Sequence, residues 1–123
     1  MSASAMTLTD YFDRTDVITI ETTARDGRKF ATPIWGVVVD GTCYIRNGYG
    51  EDSAWYRRLR RTWRAGFGDR GQYPARLKLV TDEDTRKRVD EAYLAKYRGQ
   101  GVPVRLVVSP EVRAYTFRLV PVG

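Results

Sequence analysis

Two Asp-Gly dipeptides, Asp26-Gly27 and Asp40-Gly41, punctuate runs rich in β-branched residues, and they fix much of what this chain can become. Asp-Gly is a favoured hairpin centre because both residues tolerate the positive φ that such turns need. The run before the first pair, Asp16 to Thr23, alternates as a half-buried strand does. Lys29 to Val39 is the return strand, and Thr42 to Arg46 follows the second pair. Pro33 lies inside the return strand, where its missing N–H suits an edge or a bulge. The expectation is a three-stranded meander.

After Arg46 the pattern changes. Asn47-Gly48-Tyr49-Gly50 bends the chain, and Asp52 or Ser53 is placed to cap a helix running to Thr62. That helix carries Trp55, Tyr56 and Leu59 on one side and Arg57, Arg58, Arg60 and Arg61 elsewhere. Arg64 to Gly68 reads as a fourth strand, Asp69 to Gly71 as its turn, and Pro74 to Val80 as a fifth. Thr81 or Asp82 caps a second helix, with Glu83 and Asp84 at its positive end and Lys96 and Arg98 at its negative end. Val89, Ala92, Tyr93, Lys96 and Tyr97 share one face of it, and Arg86–Asp90 and Lys87–Glu91 have i,i+4 spacing. Gly99 and Gly101 stop it. Val104 to Val108 reads as strand or extended loop, and Glu111 to Val120 as a closing strand. The chain is therefore expected to be mainly β (α+β). Six antiparallel strands form a small barrel with two helices packed outside, residues 1–15 leading into a domain over 16–123.

At 123 residues there is material for one core and not two. No run is long and apolar enough to span a membrane, and the start does not read as a signal peptide, so a cytoplasmic protein is expected. The chain has no histidine, which removes His-based triads and His metal ligands, and its single cysteine, Cys43, reads as a buried inert thiol. No metal site is expected. Net charge is +6, and 17 of the 21 basic residues are arginine, the side chain suited to bidentate contact with phosphate or carboxylate.

The richest segment for function runs from Arg46 to Arg61. A strand, a glycine turn and a helix N-terminus in that order bring backbone N–H groups to one point, and Arg46 and Arg57 add full charge. A phosphate-bearing small molecule suits such a site. The same residues also serve as a plain tight loop with solvated arginines.

Several pieces in order resemble a known superfamily: Thr32-Pro-Ile-Trp-Gly-Val-Val-Val-Asp-Gly-Thr-Cys-Tyr-Ile-Arg46, the glycine turn, then Ser53-Ala-Trp-Tyr-Arg-Arg-Leu59. The likeness is to split β-barrels that bind FMN or deazaflavin, and within them to a bacterial family of small, functionally uncharacterised proteins. It extends through Val89 to Tyr97 and Ser109 to Leu119. By resemblance to the deazaflavin-dependent nitroreductases, Thr32, Pro33, Ile34 and Trp35 would run beside the cofactor ring. Asn47, Gly48, Gly50, Trp55 and Tyr56 would hold the phosphate, with Arg46 and Arg57 as charge partners. The resemblance also implies a homodimer with the cofactor across its interface.

Three functions then compete. A flavin- or deazaflavin-binding oxidoreductase or tailoring enzyme leaves the hydride chemistry to its cofactor, which suits a chain without histidine. A cofactor-free cyclase or isomerase of secondary metabolism would need a tyrosine or carboxylate with a shifted pKa, and Tyr44, Glu21, Tyr49 and Asp52 are the candidates by position. A nucleic-acid module would use Arg57, Arg58, Arg60, Arg61 and Arg64, but these spread around a helix and no recognised binding motif accompanies them. Nucleic acid therefore ranks last as a partner.

Overall fold

The computed structural model describes residues 6–48, 53–100 and 102–122. Its seven strands are β1 (Ile18–Thr23), β2 (Lys29–Ile34), β3 (Gly36–Val39), β4 (Thr42–Arg46), β5 (Arg64–Phe67), β6 (Tyr73–Leu79) and β7 (Thr116–Pro121). They form one antiparallel sheet in the order β2-β1-β5-β6-β7-β4-β3. The helices are α1 (Leu8–Arg14), α2 (Ala54–Leu59), α3 (Glu83–Tyr97), α4 (Val102–Val107) and α5 (Pro110–Arg113), with a 3-10 turn at Arg98–Gln100. This is a curled, split-barrel sheet with helices, the predicted class with one more strand.

The extra strand comes from a break in the predicted run Lys29 to Val39. β2 pairs with β1, whereas β3 pairs with β4 at the far end of the sheet, so one residue, Trp35, separates the two edge strands. Helix α3 pins that break. The Tyr93 hydroxyl donates to the Trp35 carbonyl at 2.9 Å, and Lys96 Nζ donates to the Gly36 carbonyl at 2.8 Å and to that of Phe12 at 2.7 Å. The Tyr97 hydroxyl receives the Gly36 N–H at 3.1 Å and donates to the Asp16 carbonyl at 2.6 Å. Gly36 is required by close approach, because a Cβ there would lie 2.4 Å from the Phe12 ring. Pro33 falls on an edge strand, as its lost N–H demands.

The Asp40-Gly41 turn is as predicted, with both residues at positive φ (49° and 79°). Ser53 caps α2, accepting from the Tyr56 N–H at 3.4 Å, and Asp82 caps α3, accepting from Thr85 at 2.9 Å. Four expectations are corrected. Val104 to Val108 lies largely in α4 rather than in an extended segment, and the first half of the predicted closing strand is α5. Arg86 pairs with Glu83 rather than with Asp90, whose carboxylate is taken by Arg46 and Arg113. Among the described residues five α-helices stand where two were expected, and one of them, α1, lies in the predicted lead-in and buries Leu8 and Phe12.

The core has two parts. One cluster joins Phe12, Ile20, Ile45, Phe67 and Phe117 with Trp55, Tyr56 and Leu59 of α2. The other, between β3–β4 and α3, joins Val37, Tyr44, Val80, Val89, Tyr93 and Tyr97. Cys43 is buried, and desolvation pushes its thiol up to about 11, consistent with an inert role. Among the described residues no helix is long and apolar enough to cross a membrane, and no cluster of metal-ligating side chains forms.

Candidate functional site

A cleft of about 590 Å³ opens where β2, the end of β4, α2 and α4 meet, within the usual range for small-molecule sites. Thr32, Pro33, Ile34 and Trp35 form its strand wall. Gly48, Ser53, Ala54, Trp55 and Arg58 come from the turn and α2, Leu106 and Val107 from α4, and Arg46 from β4. The wall is held from behind: the Trp35 ring stacks on Tyr97 with centroids 4.3 Å apart and planes 8° from parallel. Its backbone is fixed by the Tyr93 hydrogen bond, so the aromatic surface facing the cleft is set by α3 rather than by the loop.

Two arginines line the cleft, in different states. Arg46 has a fully buried side chain. Its Nε donates to Thr116 Oγ1 at 2.8 Å, one terminal nitrogen to the Asp90 carboxylate and the Val107 carbonyl (2.9 Å), and the other to the Arg86 carbonyl at 2.8 Å. Desolvation pulls its pKa down, and the Asp90 hydrogen bond opposes that. Arg58 has no carboxylate partner among the described residues. Its guanidinium lies 4.2 Å from the Phe30 ring centroid, and its Nε donates to Thr22 Oγ1 at 2.8 Å. Partial burial, and then the neighbouring charge of Arg57, lower its pKa. Its two terminal nitrogens make no hydrogen bond within the described residues, so they are available to an anion in the cleft.

A family model, "Uncharacterized protein conserved in bacteria (DUF2255)", matches residues 9–119. The chain belongs to the DUF2255 family. Among curated proteins, none matches the sequence. Among solved structures, the chain is similar to a conserved hypothetical protein from Mycobacterium tuberculosis (TM-score 0.67, 19% identity, covering 100% of this chain and 87% of that one). It is also similar to an FAD-binding protein from Mesorhizobium loti (TM-score 0.62, 18% identity, 98% and 91% covered). An F420-H2 dependent reductase matches with TM-score 0.60 and 14% identity over 85% of this chain and 94% of that one. At these identities the likeness is one of fold alone, the split β-barrel.

Within that fold, the structure brings together Thr32, Pro33, Ile34, Trp35, Arg46, Gly48 and Trp55 at one cleft. Asn47 and Tyr56 are buried beside it rather than lining it, and Arg57 is exposed away from it. Of the cofactor-free candidates, Tyr44 is buried beneath α3 and Glu21 sits on β1 near Lys29 (3.8 Å), both apart from the cleft lining. Tyr49, Gly50 and Asp52 lie outside the described residues. The sequence reading missed Ala54, Arg58, Leu106 and Val107. Helical spacing could have found Arg58, which stands i+4 from Ala54 and i+3 from Trp55 and so falls between them, whereas Arg57 is i+3 from Ala54 but only i+2 from Trp55, nearly opposite it. Leu106 and Val107 were hidden because α4 was read as extended.

Proposed function

We propose that this DUF2255 protein is a small redox or tailoring enzyme that holds a flavin or deazaflavin in the β2–α2 cleft and acts on a small organic substrate. One observation carries the reading: the described lining offers apolar and aromatic walls and two guanidinium groups, but no carboxylate, phenol, amine or thiol to act as acid, base or nucleophile. A cleft whose described lining holds no carboxylate, phenol, amine or thiol suits chemistry that arrives with the ligand. The cofactor, when bound, supplies the hydride. The same observation weighs against Tyr44 and Glu21 as cofactor-free catalysts at this cleft, since both stand elsewhere; Tyr49 and Asp52 lie outside the described residues.

The residues fit such a group. Pro33, Ile34, Trp35 and Trp55 give a flat ring apolar contact and exclude water from it. Thr32 and Ser53 bring side-chain hydroxyls to the described lining and would serve the ring's polar edge. Arg58 holds the phosphate through its two open terminal nitrogens, and Arg46 keeps the floor in place while its charge stays engaged by Asp90. As part of this reading the protein is a cytoplasmic homodimer with the cofactor near the interface, which sedimentation velocity would read directly. The deciding test is a fluorescence titration with FMN and, separately, with coenzyme F420, on the wild type and on Arg58→Ala. Saturable micromolar or tighter binding, lost in the variant, supports the reading. No binding of either cofactor sinks it.

A further inference from the structure

Among the described residues, two rows of touching aromatic rings lead away from the cleft, and they end differently. On the strand side the Trp35 ring stacks on Tyr97, and Tyr97 on Tyr93, with centroids 4.3 and 5.9 Å apart. Tyr93 is fully buried with the Arg46 guanidinium 5.7 Å from its ring, so this row is closed at its far end. On the helix side Trp55, which lines the cleft, meets Tyr56 edge to face at 6.3 Å, and Tyr56 meets Trp63 at 6.4 Å. Phe117 fills the angle between the last two, 5.7 Å from Tyr56 and 5.9 Å from Trp63. Trp55 and Tyr56 are buried, whereas Trp63 is 38% exposed. This second row runs from the cleft to the surface.

The backbone holds Trp63 at that exit. Its N–H donates to the Leu59 carbonyl at 2.7 Å, and its own carbonyl accepts the Leu77 N–H at 2.9 Å. Between these bonds it takes φ = 56°, a left-handed conformation that a bulky residue adopts only under constraint. Glycine would occupy that backbone without strain, so the position keeps its ring at a cost. Packing alone repays little of it, because the ring sits at the edge of the aromatic cluster and not at its centre. An indole has one further property that a phenylalanine ring lacks: it gives up a single electron and can be refilled.

We propose that Trp55, Tyr56 and Trp63 form an electron relay that carries oxidising equivalents out of the cleft, an inference that rests on the flavin or deazaflavin reading of that cleft. A strong one-electron oxidant held there, such as the photoexcited cofactor, takes one electron from Trp55 and is itself reduced by one electron. Trp63 then gives one electron to the Trp55 radical cation across the Tyr56 ring. The Arg60 guanidinium stands 5.0 Å from that ring and disfavours positive charge on it, so Tyr56 serves as a bridge and not as a resting place. Tyr115 also touches Tyr56, at 5.6 Å, but a phenol yields its electron only together with its proton. The Trp63 radical cation releases its indole proton to water, and a reductant of the ascorbate class returns one electron and one proton. The cleft wall is thereby restored and the damage is met at an exposed position. The strand-side row gives no such exit.

The test is flash photolysis of the full chain with FMN bound, or with coenzyme F420 where only that binds, the protein being in excess so that no cofactor is free. A long-lived tryptophan radical is expected in the wild type. Trp63→Phe should bind the cofactor with unchanged affinity and shorten the lifetime of that radical at least tenfold. Under steady blue light without reductant, peptide mass mapping should find more oxidation at Trp63 than at Trp35, although Trp35 lines the cleft and Trp63 does not. Trp55→Phe, compared at saturating cofactor, should lower the Trp63 product at least tenfold, which a diffusing oxidant would not require. A bound cofactor with the same radical lifetime in Trp63→Phe, or equal Trp63 oxidation in Trp55→Phe, overturns the relay and leaves the cofactor reading standing. No binding of either cofactor overturns both.

Discussion

Arg46 and Arg58 line the same cleft, carry the same charge and do different work. Arg46 makes four hydrogen bonds, to Thr116, Asp90, Val107 and Arg86, and thereby ties β4 to β7, α3 and α4. Arg58 makes one, to Thr22, and rests on Phe30. An arginine's nearness to a cleft is thus weak evidence that it binds a ligand. What matters is how many of its five donors the fold has already taken. By that measure the floor of the cleft is scaffold, and the Arg58 end is the one that the proposed ligand would face.

The largest effect that would test this contrast comes from Arg46→Ala. Removing one member of a buried ion pair leaves Asp90 with Arg113 alone, and should cost about 3–5 kcal/mol by urea unfolding. A loss below 1 kcal/mol would mean that Arg46 is not scaffold. Next is Arg58→Ala, expected to weaken FMN or F420 binding about ten- to a hundredfold while costing about 1 kcal/mol or less of stability. A large loss of stability with affinity intact would reverse the assignment of the two residues.

The scaffold side also has a pH signature. Burial raises the Tyr97 phenol to about 12, so its contribution is complete below the ordinary tyrosine value near 10 and is lost as pH rises towards 12. Burial raises the Tyr93 phenol as well, whereas it lowers the pKa of Lys96. Tyr97→Phe isolates one member: about 1–2 kcal/mol lost at neutral pH, and a flatter alkaline decline than in wild type. An unchanged alkaline profile would remove Tyr97 from that account. The smallest effect belongs to Arg57→Ala, which should leave affinity unchanged and stability within about 0.5 kcal/mol. A tenfold loss of affinity there would restore the assignment that the sequence alone suggested.

Local chemistry made much of this fold legible. The Asp40-Gly41 turn, the Asp82 cap and the apolar face of α3 each follow from a few adjacent residues. The break at Trp35 does not. Lys29 to Val39 continues to alternate in sequence, and the interruption is fixed by Tyr93, Lys96 and Tyr97, far along the chain. The helical state of Val104 to Val107 was equally hidden, since valine-rich segments favour strands unless tertiary contacts override them. At the site, the Thr32 to Trp35 wall was found through resemblance. The exchange of Arg57 for Arg58 was readable only by asking which helix face Trp55 shares.

Trp35 joins the two edges of the sheet and also forms part of the cleft wall, so the residues around it answer to two demands at once. A mutation that reshapes the wall also tugs on the closure of the curl, and through Gly36 on the packing of Phe12. Evolutionary freedom to change what the cleft accepts therefore belongs to the helical wall. Ala54 and Leu106 there are exposed and lie outside both core clusters. Members of this family that differ in ligand should differ first at those two positions, and only rarely between residues 32 and 36.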